Sequence, residues 1–249
     1  MKIGIIGAGA IGSVLAGKWA KNGHTVSLAN SRGPDTLADL ATKLGVRAVS
    51  VEDAVKDVEV VVITIPQKNV PQLPEGLFRD VPEGVVVAHT GNYYPSLRDG
   101  AIAELEGDQT ESGWVAERIG RPVVKVFNSI ISHSLDQGGQ AAGSPGRIAL
   151  PIAGDDARAK EVLIGLVEEL GFTGIDAGPL SESWRQQPGS PAYCTDYDEA
   201  GLRSALARAD RARSVAARNT TEKWLPTLSK DTTPAEIVKR VREIEDPAG

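Results

Sequence analysis

The residues of this chain best suited to chemistry lie within its first 32 positions. Gly7-Ala8-Gly9-Ala10-Ile11-Gly12 follows directly on the apolar run Lys2 to Ile6 and opens into a helical stretch, Ser13 to Asn22. His24 to Ala29 reads as a second strand. A G-x-G-x-x-G match carries weight in this setting of strand, tight turn, helix and strand. Gly7 permits the turn, Gly9 lets the backbone approach a pyrophosphate, and Gly12 lets helix and strand pack closely. The helix N-terminus adds free N–H groups and the positive end of a dipole, both complementary to phosphate. Asn30-Ser31-Arg32 then stands where an NAD site carries a carboxylate for the ribose 2′-hydroxyl. Neutral donors and a guanidinium there suit a 2′-phosphate instead, so the expected cofactor is NADP(H). The plainer alternative makes Ser31 and Arg32 loop residues of a domain that binds no nucleotide.

The elements that must position these residues continue the alternation. Asp35 to Leu44 has a helical pattern, Val46 to Ser50 reads as a brief strand, and Val51 to Val55 as a short helix. Val58 to Ile65, Gly84 to His89 and Pro122 to Phe127 read as further strands, with a helix at Glu111 to Ile119. Continuous β-branched runs of this kind suit parallel strands covered on both faces. The expected fold class is α/β: a Rossmann-type doubly wound, mostly parallel sheet in residues 1–145. A smaller C-terminal α/β portion with a helical tail follows in residues 146–249. There Gly146 to Gly154 and Thr173 to Ala177 read as strands flanking a helix that Asp155 caps. Ala200 to Arg218 reads as one arginine-rich helix. Thr233-Pro234-Ala235-Glu236 is a capping-box start for the last, with Ile237, Val241 and Ile244 on one face.

Composition bounds the function. With 249 residues, 41% of them apolar, the chain can bury a substantial core, and its net charge of -6 opposes a nucleic-acid role carried by bulk electrostatics. The longest apolar runs are strand-length, which predicts no membrane span, and Met1 leads straight into the first strand without a secretory leader. A cytoplasmic location and a two-fold homodimer are the expectations. A single cysteine, Cys194, precludes an internal disulfide, and with only three scattered histidines no metal site is expected.

Ligands of parallel sheets sit beyond the carboxyl ends of the strands. Thr64, Ile65 and Pro66 are therefore expected to border a cofactor ribose, although a buried strand stopped by proline accounts for them equally. Thr90 and Asn92 are expected to line the nicotinamide ribose. Asn128 either meets the nicotinamide or merely forms an Asx turn. His133 either reaches a substrate proton or caps a carbonyl in water. Catalytic candidates are thus Asn128, His133 and Tyr193, with no role fixed for any. In the long segment 178–195, Trp184 and Tyr193 either stack on a planar substrate ring or pin the loop. Arg185 either holds an anionic substrate or pairs with Glu182. The arginine-rich helix either faces a polyanionic tail or is a solvated or subunit-contacting side.

Four segments occur in order: Gly7 to Gly12, Asn30-Ser31-Arg32, Val123-Val124-Lys125-Val126-Phe127-Asn128, and Asp176-Ala177-Gly178-Pro179-Leu180. Over most of residues 1–185 they resemble the NADPH-dependent reductases of the deazaflavin coenzyme F420. They are also similar to the cytosolic domain of the six-transmembrane metalloreductases. The resemblance implies an NADP-binding Rossmann domain, a small C-terminal portion closing the crevice, and hydride transfer between nicotinamide C4 and a deazaflavin ring. Two departures stand out. Ala8 and Ala10 replace a Thr-Gly version of the turn, and residues 183–194 with the two following helices exceed the family's compact end.

Three functions follow as expectations. The first is an NADPH-dependent oxidoreductase with a small-molecule acceptor of deazaflavin or flavin-like type, because ring-to-ring hydride transfer asks little of side chains beyond orientation. The second reduces a carbonyl or imine, with His133 or Tyr193 donating the proton, since no Tyr-x-x-x-Lys pair is present. The third is a non-catalytic NADPH sensor.

Overall fold

Alternating apolar runs and amphipathic repeats build a three-layer arrangement in the computed structural model, which describes residues 1–247. The first half comprises β1 (Lys2–Ile6), α1 (Ala10–Lys21), β2 (Thr25–Ala29), α2 (Ala38–Leu44), β3 (Arg47–Ala48), β4 (Val60–Ile63) and β5 (Val86–His89). Then come α3 (Glu111–Ile119), β6 (Val124–Lys125) and α4 (Ser132–Gln137). The strands form a six-stranded sheet in the order β3-β2-β1-β4-β5-β6, and every pairing is parallel. Strand order reverses beside β1, so the crevice opens between the carboxyl ends of β1 and β4. Successive residues of β4 feed opposite faces of the sheet, as the strand's period of two requires. Val60 and Val62 pack with Ile3, Ile5, Leu15 and Trp19, while Val61 and Ile63 pack with Ile6, Val87, Trp114 and Val115.

The second half opens with β7 (Ala149–Ile152), α5 (Ala157–Glu168) and β8 (Thr173–Asp176), the two strands pairing in parallel. The first core cluster runs across residue 145 without a break, joining Trp19 and Phe127 to Leu163 and Phe172. The fully buried Trp19 meets Phe127 edge-on at 5.7 Å, and its indole N–H donates to the Leu166 carbonyl at 3.4 Å.

Several elements differ from the sequence reading for identifiable reasons. Val51 to Val55 forms turns rather than a helix, with the Ser50 hydroxyl accepting from the Asp53 N–H. β6 ends at Lys125 instead of Phe127, because Phe127 takes a left-handed backbone (φ 57°) that no strand continues through. The arginine-rich run is two helices, α6 (Glu199–Arg208) and α7 (Arg211–Trp224). Asp210 accepts from the Arg213 N–H and starts the second of them. The helix after β7 begins one residue later than expected, capped by Asp156. The final helix, α8 (Pro234–Glu245), carries the expected capping box. Its Ile237 and Val241 fold back on Tyr94, Tyr193 and Cys194.

Candidate functional site

Gly7 leaves β1 at φ 121°, and a Cβ there would stand 2.2 Å from the Thr64 carbonyl oxygen. A Cβ on Gly12 would stand 2.0 Å from the Gly7 carbonyl oxygen. These two glycines let β1, α1 and the end of β4 close on one another. Gly9, the residue that precedes α1, is different: a Cβ built on it meets nothing within 4 Å. That open face is a cradle into which a side chain would project. The first turn of α1 carries no acid, so its N–H groups and dipole stay uncompensated toward the cradle.

A cleft of about 640 Å³ extends from this turn. Ala8, Gly9, Asn30, Ser31 and Arg32 line one side and Thr64, Ile65 and Pro66 the other. Asn30 shapes this end rather than offering its amide outward. Its Oδ1 accepts from the Arg32 N–H at 2.8 Å, and its Nδ2 donates to the Thr36 hydroxyl at 2.9 Å. The resulting Asx turn leaves Ser31 and Arg32 exposed at the mouth. Ala10 and Ile11 start α1 beside the cradle, and Gly12 is buried beneath it.

Thr90, Asn92 and Asn128 do not line this cleft. They sit at the carboxyl ends of β5 and β6, where Thr90 is 5% and Asn128 2% exposed. Asn128 donates through Nδ2 to Asn92 Oδ1 (3.0 Å) and to the Gln186 carbonyl (2.6 Å), and its Oδ1 accepts from Gln186 Nε2 (3.0 Å). The segment after β8 therefore closes over the carboxyl ends of β5 and β6. His89 is packed in the interior. Its Nδ1 lies 2.8 Å from the Ser112 hydroxyl, and burial, with Lys125 nearby, holds its pKa well below the usual histidine value.

Residues 2–93 match the family model described as NADP oxidoreductase, coenzyme F420-dependent. The protein YjhV of Escherichia coli K12 is 34% identical over 105 residues, covering 42% of this chain and 77% of that protein. The chain belongs to the coenzyme F420-dependent NADP oxidoreductase family. It is an NADP(H)-dependent oxidoreductase, and the open cradle at Gly9 and the guanidinium at the cleft mouth fit that cofactor. Metalloreductase STEAP3 of Rattus norvegicus is 27% identical over 73% of this chain, which spans about a third (35%) of that protein's length. The Arthrobacter sp. FB24 protein assigned as an F420-dependent NADP reductase shares the fold, with a TM-score of 0.63 and 21% identity. That superposition covers 74% of this chain and 87% of the other.

Other candidate residues of the oxidoreductase lie elsewhere. His133 is exposed and lines a separate hollow with Asp196, Tyr197 and α8. Tyr193 is buried, its hydroxyl 2.7 Å from that of Tyr94, and burial pushes both phenols well above the ordinary value of 10. It is therefore neither a stacking surface nor a ready proton donor. Arg185 takes the plainer of its two roles, donating to Glu182 at 2.6 Å. The Arg185 and Arg211 guanidiniums lie over the Trp184 ring at 4.4 and 4.8 Å. Among the described residues no group of three or more His, Cys, Asp or Glu is placed to hold a metal ion. None of their helices is long and apolar enough to cross a membrane.

Sequence reasoning missed Ser50, Glu52, Asn69 and Gln72, which line the same cleft with Val51 and Leu73. The rule about carboxyl ends, applied to the third strand as well as the fourth, points to Ser50 and Glu52. Asn69 and Gln72 belong to the 3-10 turn Gln67–Gln72 that Pro66 introduces.

One acid outside the cleft makes stability pH-dependent. Glu245 closes α8 in a buried position, where desolvation raises its pKa to about 8 against help from Thr221 and the Gly189 N–H. The folded protein thus holds a proton that the unfolded chain releases near 4.5. Stability from this group is fully present below that value and is lost as pH rises through 8. Glu245→Gln should flatten the decline in melting temperature between pH 5 and 9, measured against wild type. An unchanged slope would refute the assignment.

Proposed function

We propose that this oxidoreductase passes a hydride between NADP(H) and a deazaflavin or related flavin-like ring. The observation that carries the reading is the match of residues 2–93 to the coenzyme F420-dependent family model, and two of the side chains suited to donate a proton are poorly placed for it. Tyr193 and His89 are buried with raised and lowered pKa values respectively, the wrong directions for donating a proton near neutrality. Reduction of a carbonyl needs such a donor at the developing alkoxide, whereas transfer between two stacked rings needs chiefly orientation and exclusion of water. The nicotinamide supplies the hydride at its C4 when bound. The chain's own part is to bind and orient. Ser31 and Arg32 face the 2′-phosphate, Gly9 and the start of α1 face the pyrophosphate, and Thr64 to Pro66 border the ribose. The segment 178–195 excludes water from the far end through Gln186 and Asn128.

Family membership and the overall acidity of the chain support a small-molecule acceptor over a nucleic acid. Stopped-flow mixing of NADPH-loaded protein with the deazaflavin, followed by absorbance, tests the proposal. Oxidation of NADPH that saturates with acceptor is expected, and none at saturating acceptor would refute it. Tyr193→Phe should change turnover less than about twofold and leave the pH–rate profile intact, because a buried phenol bonded to Tyr94 donates nothing to substrate. Loss of one limb of that profile would favour a carbonyl or imine reductase.

A further inference from the structure

Lys125 ends β6 with none of its surface exposed, an unusual position for an ammonium group. Its Nζ lies 2.8 Å from Glu111 Oε2 and donates to the Gly91 carbonyl at 3.0 Å. Glu111, at the start of α3, is 2% exposed, and its Oε1 accepts from the Tyr93 N–H at 3.0 Å. Two charges therefore grip Gly91 and Tyr93, either side of Asn92. The Glu111 backbone extends the hold: its carbonyl accepts from Gln67 Nε2 (2.9 Å), and its N–H donates to Gln187 Oε1 (3.1 Å). Gln67 follows Pro66 at the cleft, and Gln187 belongs to the covering segment.

A buried ion pair is a costly stabiliser, since apolar residues of equal volume often serve as well or better. Desolvation pulls the Lys125 pKa down, and the Glu111 carboxylate opposes it. What apolar packing cannot do is fix one carbonyl and one N–H of an irregular strip at set positions. Asn92 relays that fix, because its Nδ2 donates to the Asn128 carbonyl at 2.9 Å while its Oδ1 accepts from the Asn128 amide.

We propose that the Lys125–Glu111 pair positions the nicotinamide half of the cofactor, by setting Gly91, Asn92 and Asn128 at the carboxyl ends of β5 and β6. The inference rests on the reading above, in which NADP(H) lies along the crevice with its adenosine end at Arg32. Lys125 and Glu111 are positioning residues, both too deep to touch a ligand.

Adenosine 2′,5′-bisphosphate separates the two halves, because it offers the phosphate of the Ser31–Arg32 end and has no nicotinamide. Calorimetry with this probe and with NADPH, on the full chain, compares wild type with Lys125→Met and Glu111→Gln. Lys125→Met is expected to bind the bisphosphate within twofold of wild type and NADPH at least tenfold more weakly. The emission of bound NADPH should shift toward that of free NADPH. Glu111→Gln, which keeps an acceptor but no charge, should fall between. Should a lone buried charge prevent folding, the double variant Lys125→Met with Glu111→Leu removes both charges, and the same split is expected. Parallel losses for both probes, or no loss for either, would overturn the pair's role alone. A wild-type chain that fails to bind the bisphosphate would overturn the cofactor reading and this inference with it.

Discussion

Replacing Arg32 with alanine is expected to weaken NADPH binding by about ten- to a hundredfold while changing NADH affinity by less than about threefold. The magnitude follows from a charge-assisted hydrogen bond to phosphate, worth about 1.5–3 kcal/mol, where each 1.4 kcal/mol is a factor of ten. The asymmetry follows from position. Arg32 is exposed at the cleft mouth, and its backbone N–H, not its side chain, holds the turn by donating to Asn30. Removing the guanidinium leaves that Asx turn intact, so the loss should appear only with the ligand that carries the 2′-phosphate. Titration of both dinucleotides into the variant checks it, and equal losses would contradict it.

Alanine at Gly12 and alanine at Gly9 are expected to fail in opposite ways. At Gly12 the added Cβ would lie 2.0 Å from the Gly7 carbonyl oxygen and 2.8 Å from the Thr64 side chain. Backbone must then move, with an overpacking cost of about 2–3 kcal/mol. In a chain of this size that lowers the melting temperature by roughly 4–12 °C. At Gly9 the backbone is extended and the surrounding space is empty, so the melting temperature should hold within about 2 °C of wild type. The new methyl instead occupies the cradle, and NADPH affinity should drop by about tenfold or more. Thermal denaturation and titration of the two variants provide the check. A stable Gly12→Ala protein, or a Gly9→Ala protein with undiminished affinity, would contradict the geometry.

The glycine turn shows what was legible in advance and why. Its chemistry is local: three glycines, a strand and the start of a helix lie within the first twelve residues, and each glycine's role follows from backbone sterics alone. The sheet was legible too, because Val60 to Ile63 can be buried on both faces only between parallel neighbours. The cluster beyond β5 and β6 was not. Asn128 meets Gln186 through the way the chain returns after β8, and Lys125 meets Glu111 through the packing of α3 beside β6. Nothing in the spacing of those residues announces the encounter. Lys125 sat inside a recognised segment but carried no signal of burial, since a lysine at a strand end is ordinarily solvated. The two alternatives for Tyr193 and Trp184 stayed open for the same reason. Whether an aromatic side chain faces a ligand or a neighbour is decided by tertiary packing, here Tyr94 for one and two arginines for the other. The arginine-rich run read as one helix because nothing in its composition marks the break that Asp210 makes by capping the second helix.

The most direct test is calorimetric titration of the unmodified chain with NADPH and with NADH, at one pH and one salt concentration. Tighter binding of NADPH by at least tenfold, with the gap narrowing as salt is raised, is the predicted outcome. Equal affinity for the two dinucleotides would contradict the assignment of Ser31 and Arg32 as the phosphate-reading end of the cleft.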